Sequence, residues 1–270
     1  MSRIDVKKTY KLYINGAFPR SESGRVYEVT NTKGAFIANP ALASRKDLRD
    51  SVVAARGAFG KWSGSTAYLR GQIIYRIAEM LEGRREQFEA ELKATGDKTK
   101  ITEAIDLIVW YAGWTDKLAA LDGVTNPVSG PFYNFTTPEA MGVVGVVSKP
   151  TFLEFIDSLM AVIASGNSTV IVAPGALAIP AMSFAEVLAT SDVPAGVINI
   201  LTGKVDELAP WMASHMDIDG IDITGVKKQG ELKVAAAENL KRVHSFTKLK
   251  NPARILAFME AKTVWHTVGI

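Results

Sequence analysis

MGVVGVVSKPTFLEFIDSLMAVIASGNSTVIVAP, residues 141–174, holds two continuous apolar, β-branched runs on either side of a segment with helical spacing. The runs MGVVGVV (141–147) and STVIVAP (168–174) read as buried strands, and residues 152–165 between them as a helix. A strand that is apolar at nearly every position is covered on both faces, as in a parallel sheet between helical layers. The rhythm continues downstream: a helix near 177–190, the strand GVINILTG (196–203), a helix near 206–215, the strand GIDITG (220–225), and a helix through 231–242. With right-handed crossovers these units give an α/β, Rossmann-like doubly wound parallel sheet.

Working outward, residues 10–38 read as short extended pieces, with a turn at Asn15-Gly16. Ser44 with Asp47 three residues on is a capping-box signal for a helix whose apolar face is Leu48, Val52, Ala55 and Phe59. A second helix is expected from about Thr66 to Gly96, and a third from about Thr102 to Leu118. Residues 123–140, GVTNPVSGPFYNFTTPEA, lose the helical period and read as an extended, protruding β-hairpin. The closing NPARILAFMEAKTVWHTVGI reads as a short helix followed by a β-branched and aromatic strand.

In 270 residues, an apolar fraction of 47% suffices for a real core, and there is no internal repeat or low-complexity linker. A net charge of +3, with basic residues scattered, gives no nucleic-acid footprint. No apolar run is long enough to span a membrane and MSRIDVKKTYK carries no apolar signal core, so a cytoplasmic protein without a membrane partner is expected. The absence of cysteine excludes disulfides, thiolate metal sites and thiol nucleophiles. His215, His244 and His266 lie too far apart in sequence to suggest a metal site.

In a sheet of this class a ligand sits at the carboxyl ends of the strands, here KPTF (149–152), APGA (173–176), LTGK (201–204) and TGVKKQG (224–230). The last is the candidate cofactor site: Gly225 and Gly230 bracket the start of a helix whose N–H groups face a pyrophosphate in dinucleotide-binding folds, with Lys227 as added charge. Two glycines five apart after a strand are more often turn and packing glycines.

Eight segments, KLYINGAF, AARGAFGKW, YAGWTDK, MGVVGVV, SGNSTVIVAP, VPAGVINILTG, IDITG and AAAENLKRV, follow in the order and spacing of the aldehyde dehydrogenase superfamily, over about residues 10–244. The chain resembles the coenzyme-binding domain of that family, and the hairpin at 123–140 resembles part of its oligomerisation domain. The resemblance implies chemistry by a cysteine thiolate, an amide oxyanion donor, a glutamate base and NAD(P). Here there is no cysteine, and Thr151 stands at the place of the oxyanion asparagine. Ala173 and Ala176 stand where the family clamps the adenosine ribose with Lys and Glu, so NAD(P) binding is expected to be weakened. The Thr-Gly-Ser-like phosphate turn is Thr224-Gly225-Val226. HSFTKLKNPAR follows where the family's Glu-Leu-Gly-Gly segment and catalytic domain are expected.

ILAFMEAKTVWHTVG (255–269) resembles the family's closing oligomerisation strand, which implies a coenzyme-binding domain joined to that strand with the catalytic domain excised between about residues 245 and 251, and not a simple truncation. The expected organisation is a coenzyme-binding-like domain over 1–122 and 141–250, and an oligomerisation hairpin and strand over 123–140 and 251–270. The expected function is that of a non-catalytic, pseudoenzyme-like family member with no catalytic residues of its own. It would be a homo-oligomer or an assembly or regulatory subunit of a full-length aldehyde dehydrogenase. The alternatives are a weak NAD(P)-binding module or residual oxidoreductase, and a relic without a role.

Overall fold

The computed structural model describes residue 4 and residues 6–269; residues 1–3, 5 and 270, which close the expected domain ranges at either end, lie outside the described residues. The chain begins with two short strands, β1 (Val29–Thr30) and β2 (Phe36–Ala38). The helices α1 (Arg45–Ser63), α2 (Ala67–Glu82), α3 (Arg85–Thr95), α4 (Ile101–Trp114) and α5 (Leu118–Asp122) follow. Then come β3 (Val124–Asn126) and β4 (Phe132–Ala140). The alternating part runs β5 (Val143–Val147), α6 (Phe152–Ala164), β6 (Ser168–Pro174), α7 (Ala178–Leu188), β7 (Ile198–Gly203), α8 (Val205–Ser214), β8 (Gly220–Asp222), α9 (Gly230–Ala237) and β9 (Arg242–His244). The chain closes with α10 (Pro252–Leu256) and β10 (Met259–Thr267).

The main sheet has the order β7-β6-β5-β8-β9, and every neighbouring pair is parallel. Chain order reverses between β5 and β8, so this is a doubly wound sheet. Strand periodicity divides its side chains between two layers. Val144 and Val146 join the core shared with α2, α4, α6 and α7, whereas Val143 and Val147 join the core shared with α1 and α8. Both faces of β5 are therefore fully buried, as its unbroken apolar run requires. Asn15 and Gly16, at φ of 53° and 73°, form the expected reversal and join Ile14 to Ala17 in a bridge. Ser44 and Asp47 form the expected capping box.

Three expectations are corrected. The helix expected from Thr66 to Gly96 is two, because Gly83 is the C-cap of α2 and Arg84, at φ −115° and ψ 15°, leaves helical geometry before α3 begins. The helix expected to reach Leu118 stops at Trp114 and resumes as α5. The helix expected through 242 ends at Ala237: Leu240 adopts φ 55°, turning the chain so that Arg242–His244 becomes a fifth parallel strand beside β8. Lys241 holds this turn by donating to the carbonyls of His215 and Ile218 and to Asn239. Among the described residues no helix is long and apolar enough to cross a membrane.

Residues 124–140 form a β-hairpin, and β10 pairs antiparallel with the other edge of β4 along its whole length, from Met259 opposite Ala140 to Thr267 opposite Phe132. The result is a separate three-stranded sheet, β10-β4-β3, with β10 at its edge.

Candidate functional site

At the end of β5, Thr151 caps α6, its hydroxyl oxygen accepting from the Glu154 N–H at 3.4 Å. Asp97 accepts from the Phe152 N–H at 2.6 Å, and the Thr99 hydroxyl from that of Leu153 at 3.2 Å. The first-turn donors of α6, which could otherwise hold an anion, are thus met by the protein's own side chains. At the end of β6, Ala173 is fully buried and Ala176 lies in the single 3₁₀ turn Gly175–Leu177. The Tyr27 hydroxyl donates to the Gly175 carbonyl at 3.0 Å beside that turn. Neither alanine brings a polar group to a ribose.

At the end of β8, the Gly225 N–H donates to the Val147 carbonyl at 2.8 Å, and a Cβ at Gly225 would lie 2.0 Å from the Ser148 carbonyl oxygen. Only glycine lets this turn approach the end of β5 so closely. Gly225 thus has a packing reason to be glycine, whatever else it does. Gly230 is exposed and opens α9, with nothing within 4 Å of the position of a Cβ. Lys227 and Lys228 between them are exposed. The Gln229 amide folds back onto the Ile223 and Val226 carbonyls and Ser245. The Thr224 hydroxyl, bonded to Asp222, accepts from the Phe246 N–H at 2.9 Å. Gly225, Lys227 and Gly230 share one turn, but Gly225 faces inward while the other two face solvent. The polar groups of this turn anchor the connection that follows β9.

That connection is fixed by a buried ionic cluster that sequence reasoning missed. Arg254, on α10, places its guanidinium between Asp157 of α6 and Asp222 of β8, the latter at 2.6 Å, and donates to the Ser158 hydroxyl at 2.5 Å. The Tyr111 hydroxyl donates to Asp157 at 2.8 Å, as does the Lys250 N–H at 2.9 Å. Burial, which alone would lower the Arg254 pKa, is outweighed by Asp222 and Asp157, so it is raised. Burial first, and Asp157 second, raise that of Tyr111. No spacing in the sequence announced this grouping, since its acids lie 32 and 97 residues before the arginine. Among the described residues no group of His, Asp or Glu is placed to hold a metal ion.

The three-stranded sheet shows a different character. Asn126, Asn134, Thr136 and Thr263 form a cross-strand polar ladder on one face, with the Asn126 amide donating to Asn134 and to Thr136 and the two threonine hydroxyls 2.9 Å apart. Phe132 and Trp265 meet edge-on beside it at 5.8 Å. On the other face Phe135 stacks on His266 at 5.8 Å and lies 5.6 Å from Tyr133. Trp265 is 58% exposed, Tyr133 50% and Phe132 40%. Among the described residues the outer edge of β10 has no strand beside it.

The model of the aldehyde dehydrogenase family matches residues 18–268, running across the β9–β10 connection. The chain is 31% identical to human mitochondrial 10-formyltetrahydrofolate dehydrogenase over 263 residues, covering 90% of this chain and 28% of that protein. It is 31% identical to mouse retinal dehydrogenase 2 over 269 residues, covering 94% of this chain and 51% of the relative. The structure of a Bacillus cereus aldehyde dehydrogenase in complex with NAD+ superposes with a TM-score of 0.79 at 27% identity, over 87% of this chain and 50% of that one. The chain therefore spans between about a quarter and a half of the length of the relatives it matches. The match spans the parallel sheet and the closing strand, and this chain belongs to the aldehyde dehydrogenase family.

Proposed function

We propose that this chain is a non-catalytic family member that works through assembly, as a homo-oligomer or as an assembly or regulatory subunit of a full-length aldehyde dehydrogenase. The open edge of β10 carries the reading: nine residues of extended backbone with no strand outside them among the described residues, next to exposed Trp265 and Tyr133. Such an edge is a template for strand addition from another chain. In this reading residues 1–122 and 141–250 form the coenzyme-binding-like body, and 123–140 with 251–270 the assembly unit. The lack of cysteine leaves no thiolate to attack an aldehyde, and the Thr151 hydroxyl is engaged as a helix cap. The test is size-exclusion chromatography of the chain alone and mixed with a full-length aldehyde dehydrogenase from the same cells. A dimer or larger species, or co-elution, is expected; a strict monomer in both runs overturns the proposal.

A second reading is a weak NAD(P)-binding module, suggested by exposed Lys227 and Lys228 leading into Gly230 and by the NAD+ held in the Bacillus cereus relative. The residues at the end of β6 do not fit a clamped ribose, because Ala173 and Ala176 offer no hydrogen bond there. A thermal-shift titration decides it: a shift that grows into the millimolar range of cofactor favours the second reading, and none at millimolar NAD or NADP removes it.

A further inference from the structure

Backbone geometry fixes which groups of β10 face its outer edge. The Val268 N–H donates to the Pro131 carbonyl at 2.8 Å, so along this antiparallel ladder the even-numbered residues turn their backbone groups towards β4. The odd-numbered residues Ala261, Thr263, Trp265 and Thr267 turn theirs outward. Met259 does the same, and its carbonyl accepts from the Arg242 guanidinium. Among the described residues no strand pairs with the outward groups of Ala261 to Thr267.

We propose that β10 pairs antiparallel with β10 of a second copy of this chain, about a twofold axis at Thr263. The proposal rests on the assembly function above and names its partner, a second copy in place of a full-length relative. In this register Thr263 lies opposite itself and Ala261 opposite Trp265 of the second copy, and each pair exchanges ladder bonds. The exposed indole then meets a small side chain. On the other face the Glu260 carboxylate lies opposite the His266 imidazole, an acceptor beside a donor. Lys262 lies opposite Val264, and its ammonium is already paired with Glu139 at 3.0 Å, so no unpaired like charges oppose each other. Centring the axis on Val264 instead sets Lys262 beside His266 and leaves the Glu260 carboxylate facing Val268. The edge strand β3 is a poorer mate for β10, because it offers only the three residues Val124–Asn126. Isologous pairing of this kind joins the two three-stranded sheets into one continuous sheet.

The lack of native cysteine makes disulfide mapping direct. The full chain is made as Thr263→Cys and, separately, as Thr267→Cys, oxidised with diamide, and followed on non-reducing gels beside size-exclusion runs of the unaltered chain. A twofold axis at Thr263 brings the two copies of that residue within disulfide reach, whereas Thr267 lies opposite Met259 of the second copy, far from its own mate. Covalent dimer should therefore form at least about tenfold faster for Thr263→Cys than for Thr267→Cys. An equimolar mixture of Glu260→Cys and His266→Cys should cross-link faster than either variant alone, which checks the register without altering Thr263. A dimer on size exclusion whose cross-linking is equal at the two sites, or faster for Thr267→Cys, overturns this pairing and leaves the assembly function standing. So does a chain that is monomeric alone and co-elutes with a full-length aldehyde dehydrogenase. A strict monomer in both runs overturns both.

Discussion

At the scale of single residues, Arg254 decides most. It neutralises two carboxylates that have no contact with water, so removing it strands them both. Arg254→Ala is expected to cost about 3–5 kcal/mol, measured by urea unfolding, because breaking a buried pair leaves an uncompensated charge. Arg254→Met should do little better, since it restores packing but not charge. Gly225 makes the opposite point. Its glycine is visible in sequence, but phosphate binding and close packing call for the same residue there. The Ser148 carbonyl oxygen 2.0 Å from a would-be Cβ establishes the packing role. Gly225→Ala should therefore destabilise by roughly 1–3 kcal/mol with no ligand present, the range for overpacking a fitted site. An unchanged unfolding midpoint would remove that explanation.

At the scale of elements, legibility followed length and local chemistry. The capping box of α1 was readable because Ser44 and Asp47 act on backbone within three residues of themselves. Ser44→Ala should cost about 1 kcal/mol in the same unfolding assay. The strands β5, β6 and β7 were readable because both of their faces are buried and their apolar runs are continuous. β9 was not: with three residues it carries no period, and its pairing is set by the turn at Leu240 and by Lys241. The closing strand was readable as a strand, while its register on β4 came only from the fold. Trp265→Glu places a charge on the exposed face beside the open edge. It should shift a chain that assembles through β10 towards monomer in sedimentation velocity while leaving its unfolding midpoint nearly unchanged.

At the scale of the whole molecule, burial of tyrosines sets the response to alkali. Burial raises the pKa of Tyr13, Tyr27 and Tyr111, and moves that of Tyr10 to about 12 with help from Glu91 and Glu186. Their stabilising contribution is complete below the ordinary tyrosine value of 10.0, and is lost as pH rises above it, because the unfolded chain then sheds protons the folded one retains. The unfolding midpoint should fall steadily above about pH 10, which thermal unfolding followed across a pH series measures. An unfolding midpoint that stays level between pH 10 and 12 would contradict this burial.

The sequence by itself determined the fold class, the family pattern and the absence of cysteine from these 270 residues, because these rest on local apolar periodicity, on ordered motifs and on residue identity. It also marked Ala173 and Ala176 as unable to hold a ribose hydroxyl, since side-chain chemistry needs no coordinates. Only the tertiary structure decided that Gly225 packs against β5, that Arg254 locks the chain after β9 onto α6 and β8, and that β10 has no strand on its outer edge among the described residues. The physical reason is common to all three: each depends on groups far apart in sequence that meet only after the sheet has formed.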